Sequence, residues 1–148
     1  MPRLSIDLPA SFIFRAAMPV RASDLNYGNH VGHDSIVTLM QEARILFYRK
    51  MGFENELTFD GAIGQVIADV AVMYKSESFL GDILLCKLAV TGFSKYGFDM
   101  IYSIVNEETG KEVARGKTGI VCFNYDLRKI EPIPQRLIDK LNDQRIID

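Results

Sequence analysis

Between residues 34 and 51, apolar side chains fall at Ile36, Leu39, Met40, Ala43, Leu46, Phe47 and Met51. That is the i, i+3, i+4, i+7 spacing of one helical face. The spacing predicts a helix that Asp34 or Ser35 caps at its start and Gly52 closes at its end. Val37, Ile45 and Tyr48 widen the apolar arc, so a sheet is expected to wrap the helix. After a poorly patterned segment at 53–62 the period changes to two. Residues 63–75, 83–93, 98–107 and 112–125 then read as strands, and a first strand lies within 12–22. Gly81-Asp82, Lys95-Tyr96-Gly97 and Glu108-Thr109-Gly110 supply turns, and connections this short predict antiparallel hairpins in a meander. Pro132 and Pro134 end the sheet, and 133–147 suits a short amphipathic tail helix.

The order predicts an α+β fold of one domain, residues 1–148: a five- or six-stranded antiparallel sheet around one long central helix. The open edges of such a sheet favour pairing with a second copy, so a homodimer or homotetramer is expected.

Composition changes this picture mainly by exclusion. With 48% hydrophobic and 24% charged residues the chain is in the globular range. A net charge of -2 argues against a nucleic-acid partner, which would need a basic stripe. No apolar run approaches a membrane span and no signal-peptide core is present, so no membrane partner and a cytoplasmic location are expected. Cys86 and Cys122 sit in apolar strand-like runs without a CxxC or CxxH partner. They read as buried hydrophobes in a reducing compartment rather than a zinc site.

The chemistry concentrates in residues 23–33, Ser-Asp-Leu-Asn-Tyr-Gly-Asn-His-Val-Gly-His, which hold both histidines of the chain. Asp24-Leu25-Asn26-Tyr27-Gly28-Asn29-His30-Val31, followed by Glu42-Ala43-Arg44 on the helix, resembles the D-x-[DN]-x-x-x-[HV]-V and E-A-R pattern of 4-hydroxybenzoyl-CoA thioesterase-like proteins, a hot-dog-fold family. Plant fatty acyl-ACP thioesterases are similar over the same turn. Gly81-Asp82 and residues 114–121 before Pro132 also resemble the family, so the likeness runs over about residues 12–135. It implies a hot-dog fold and hydrolysis of an acyl-CoA or acyl-carrier-protein thioester, with no cofactor and no metal. The family's catalytic aspartate falls on Asn26, where an amide has no useful basicity.

That departure leaves the base open. Glu42 is one candidate, since partial burial on an apolar helix would raise its pKa; Asp24 is another. Asn26 would position the carbonyl, and His33 would orient water or protonate the leaving thiolate. Gly28 and Gly32 would keep the backbone open beside a helix start whose free N–H groups stabilise an oxyanion, with His30 bracing the loop. Arg115 and Lys117 would receive carrier phosphates, and Phe47, Tyr48, Met51 and Phe53 would line the acyl slot. Each residue also has a plain structural reading as a turn, core or solvated position. A hot-dog hydratase and a non-catalytic acyl-thioester-binding domain remain the alternatives.

Overall fold

The computed structural model describes residues 3–147. In chain order the elements are β1 (Phe14–Pro19), a 3-10 turn (Ala22–Asp24), α1 (His33–Lys50), β2 (Ile63–Tyr74), β3 (Ile83–Thr91), β4 (Gly97–Asn106), β5 (Glu112–Asn124), β6 (Lys129–Ile130) and α2 (Gln135–Asn142). The fold is α+β: one antiparallel six-stranded sheet with α1 packed on it, the hot-dog arrangement.

Strand positions agree with the period-two reading, and β3, β4 and β5 form the expected antiparallel meander, but β2 does not join it. The order is β1-β3-β4-β5-β2, with β6 paired to β5. β3 pairs with β1 (Phe14↔Leu88 through Pro19↔Ile83), while β2 lies on the opposite edge against β5 (Ile63↔Asn124 through Tyr74↔Ala114). Gly81-Asp82 therefore does not close a β2–β3 hairpin. The connector from Lys75 to Asp82 crosses the end of the sheet, a span that eight extended residues easily cover. It is held there by backbone bonds from Val31 N–H to Ser78 O (2.8 Å) and Val20 N–H to Asp82 O (2.9 Å).

α1 buries Ile36, Leu39, Met40, Ala43, Phe47 and Tyr48 against Phe14, Leu84, Cys86, Leu88, Met100, Tyr102 and Ile120. Each of the larger side chains contributes about 1.5–3 kcal/mol of burial. The helix approaches β5 so closely that a Cβ on Gly116 would stand 2.6 Å from Met40 Sδ. At its end, Gly52 adopts φ 95°, and Gly52 and Phe53 N–H donate to Arg49 and Tyr48 carbonyls, each at 3.0 Å. This is the left-handed termination that favours glycine. The apolar arc is narrower than its residue types suggested: Val37 and Leu46 are exposed, whereas Arg44 is only 5% exposed.

Arg44 is tolerated because its donors are answered. Nε donates to Glu56 Oε1 (3.2 Å) and Nη1 to Tyr102 Oη (3.1 Å). Tyr102 continues to Thr118 at 2.7 Å, and Gln65 links Glu56 to the Tyr48 hydroxyl. On the other face of the sheet the N-terminal segment lays Ile6 and Phe12 over Ala89 and Ile101. Both cysteines are buried and free, and burial pushes their thiols up to about 12 (Cys86) and about 11 (Cys122). No helix among the described residues is long and apolar enough to cross a membrane.

Removing one partner of a buried ion pair strands the other. Arg44→Ala is expected to cost about 3 kcal/mol, read as a lower urea midpoint. An unchanged midpoint would show that the network is not a stability element.

Candidate functional site

The polar turn is built by its own side chains. The Asp24 carboxylate is buried and accepts the Arg21 backbone N–H (2.8 Å) and Arg21 Nη2 (3.1 Å). Burial pushes its pKa up, but the hydrogen bonds and charge of Arg21 outweigh this and leave the carboxyl below its usual value. Asn26 Oδ1 accepts Gly28 N–H at 2.9 Å, and Asn26 N–H donates to His30 O at 2.9 Å. Asn29 takes the left-handed conformation at φ 64°, which asparagine tolerates well. His30 Nδ1 lies 3.1 Å from Val31 O. A carbonyl only accepts, so in this contact Nδ1 carries a proton and donates.

α1 then begins with Gly32 as its N-cap and no side-chain cap. Gly32 N–H donates to Asp24 O, and the Ser35 and Ile36 N–H groups turn back to Gly32 O. The N–H groups of His33 and Asp34 are left without a partner among the described residues. They carry the positive end of the helix dipole.

This helix start opens on a cleft of about 320 Å³ lined by His30, Val31, His33, Ile36, Val113 and the whole stretch from Tyr74 to Ser78. Val31, Ile36 and Val113 make its apolar side, while His30, His33, Lys75 and Glu77 bring titratable groups to it. The Tyr74 hydroxyl donates to His33 O (2.8 Å), and Ser76 Oγ donates to Glu112 O (2.7 Å), so the stretch is braced at its start and at its middle. Ser78 is 2% exposed, and its Oγ is the one buried side-chain polar atom among the described residues with no hydrogen-bond partner.

A donor-rich, uncapped helix start beside a small, partly apolar cleft suits a carbonyl compound that develops negative charge. The profile of the thioesterase-like superfamily matches residues 20–141, which covers the turn, α1, the cleft and every strand of the sheet except β1. The chain belongs to the thioesterase-like superfamily. Among solved structures it is similar to a 1,4-dihydroxy-2-naphthoyl-CoA thioesterase from Synechocystis, at 22% identity and a TM-score of 0.79 over 90% of this chain and 97% of that one. A gentisyl-coenzyme A thioesterase shares 19% identity at a TM-score of 0.76, covering 86% and 99%. A Staphylococcus aureus protein solved in complex with CoA shares 14% identity at 0.79, covering 97% and 92%. A search of curated protein sequences finds no match.

In this member of the thioesterase-like superfamily the residues singled out from sequence divide into groups. His30 and His33 meet in the cleft, with Asn26, Gly28 and Gly32 in the turn beside it. Asp24 is next to them in sequence, but Arg21 occupies its carboxylate. Glu42 is exposed and lies instead in a groove with Met18, Pro19, Arg21 and Leu39. At about 100° per residue, nine residues set it half a turn from His33 and about 13 Å along the axis. The expected burial of Glu42 is therefore corrected.

Arg115 and Lys117 lie on the sheet face away from α1. Arg115 pairs with Glu112 and donates to Ile6 O (3.0 Å), and Lys117 pairs with Asp69 (2.7 Å) and Asp99 (3.5 Å). Phe47, Tyr48, Met51 and Phe53 are buried in the core and are not part of the cleft lining; Phe53 borders a separate groove with Arg49, Gly52 and Glu54. The residues missed from sequence are Tyr74, Lys75, Glu77 and Ser78. Their only signal was a polar run at a strand end that a crossing connector then carries to the helix start.

Because the folded-state pKa of Asp24 is lowered, its stabilisation is present above the unfolded value of about 4 and is lost as pH falls through the folded value. Asp24→Asn should lower the urea midpoint at pH 7, and the gap to wild type should close as the pH drops below about 4. A gap independent of pH would assign the effect to packing instead.

Proposed function

We propose that this chain hydrolyses an acyl-CoA thioester to the free acid and CoA at the α1 start. The uncapped His33 and Asp34 N–H groups beside the cleft carry this reading. A thioester carbonyl placed against them would gain two donors as its oxygen becomes an oxyanion, and such a donor is worth about 3 kcal/mol of barrier. His33, beside that position, would protonate the departing thiolate, while Asn26 and His30 hold the turn in shape. The apolar side of the cleft takes the acyl group. Lys75 offers the carrier a cation that Arg115 and Lys117 do not.

CoA as carrier is supported by the CoA-bound structural relative, and an aromatic acyl group by the dihydroxynaphthoyl and gentisyl thioesterases. With a panel of aromatic, short-chain and long-chain acyl-CoAs, thiol release should exceed the background for at least one. His33→Ala should lower kcat on it by about 100-fold. Binding without turnover across the panel would overturn the reading in favour of a binding domain.

The assembly we propose is a homodimer through the β2 edge. β2 is 12 residues long, pairs among the described strands with β5 alone, and exposes Ile67 (40%), Val70 (50%) and Tyr74 on the side of α1 beside Val37. A long edge with apolar side chains is an adhesive surface. Val70→Lys is expected to shift the sedimentation coefficient to that of a monomer, and a wild type that already sediments as a monomer would rule the dimer out.

A further inference from the structure

We propose that Glu77 is the general base of the hydrolysis, supplying the carboxylate that the turn lacks at Asn26; this rests on the thioesterase reading above. Hydrolysis of a thioester by water needs a proton acceptor next to the carbonyl, and the amide of Asn26 cannot be one. The carboxylates nearest in sequence do not serve. Asp24 is consumed by Arg21, Glu42 is on the opposite side of the helix, and the Asp34 carboxylate folds back over Gly32, whose Cβ would stand 2.6 Å from Asp34 Oδ1. Asp34 flanks the cleft only at its rim, where its N–H lies next to that of His33, whereas Glu77 is part of the lining.

The position of Glu77 is set by the backbone. Its neighbour Ser78 receives the Val31 N–H at 2.8 Å, two residues before the helix begins. Three residues before Glu77, Tyr74 donates to His33 O at 2.8 Å. Two hydrogen bonds thus hold the Tyr74–Ser78 wall against the helix start, with Glu77 between them. Glu77 is exposed and lines the cleft, and its carboxylate forms no hydrogen bond or ion pair with another described residue, which leaves it open to hold a water.

In the step that follows, Glu77 takes a proton from water as the water oxygen bonds to the carbonyl carbon. The carbonyl electron pair moves onto oxygen, against the His33 and Asp34 N–H groups. Collapse of this intermediate breaks the carbon–sulfur bond, and the thiolate leaves with a proton from His33. The proton taken by Glu77 then returns to His33 through solvent, so that one water is consumed, acid and thiol are formed, and both side chains are restored.

The test uses the full chain and the acyl-CoA that wild type turns over fastest. Glu77→Gln is expected to lower kcat by about 100-fold with KM changed by less than about threefold and the melting temperature unchanged. Formate should restore part of the rate to Glu77→Ala, because a small carboxylate can enter the vacated place, whereas a structural role would give no rescue. Wild-type kcat in Glu77→Gln overturns the inference and leaves the hydrolase reading standing. So does a loss confined to Asp34→Asn or Glu42→Gln, or a Glu77 loss that formate does not rescue. No turnover by wild type overturns both.

Discussion

One face of α1 must bury both an apolar stripe and a guanidinium, and the fold is arranged around that requirement. The stripe repeats every 3.6 residues and is covered by the sheet side carrying Leu84, Cys86, Met100, Tyr102, Ile104 and Ile120. Gly116 lets the helix settle onto β5, and Glu56, Tyr102 and Thr118 meet the charge of Arg44. A buried charge with fixed partners tolerates fewer rotations and translations of the helix than an apolar surface would.

Holding the helix in place determines where its first turn ends. That end reaches the rim of the sheet, where the polar turn enters from β1 and the β2–β3 connector crosses. The two are joined through Val31 and Ser78, and Tyr74 closes the other side at His33. Free N–H groups, two histidines, a carboxylate and an ammonium come together because these contacts belong to one packing solution. Stabilising the helix and presenting its positive end to the cleft are here the same structural fact.

The site was only partly legible along the chain, and the misses have specific causes. The turn announced itself by its density of polar groups, and both histidines do face the cleft. Glu42 was attractive for its neighbours in sequence, yet helical phase carries it away from His33. Arg115 and Lys117 alternate with Gly116 and Thr118, and it is the even positions of β5 that face α1. Alternation states that two faces exist but not which one is inward when both carry polar residues. Lys75 to Ser78 had no signature of their own, since their importance comes from a connector crossing the sheet.

Periodicity and turn residues therefore determined the element list. They placed every long strand to within two or three residues at most ends, a helix closed at Gly52, and a helix start embedded in polar groups. These are local properties, written in spacing and in backbone preferences of single residues. Strand order, the exile of β2 to the far edge, the burial of Arg44 and the placing of Glu77 and His33 on one cleft were decided only in three dimensions. Each depends on a contact between segments far apart in the chain, and such pairings are selected by the energy of the whole packed arrangement rather than by either segment alone.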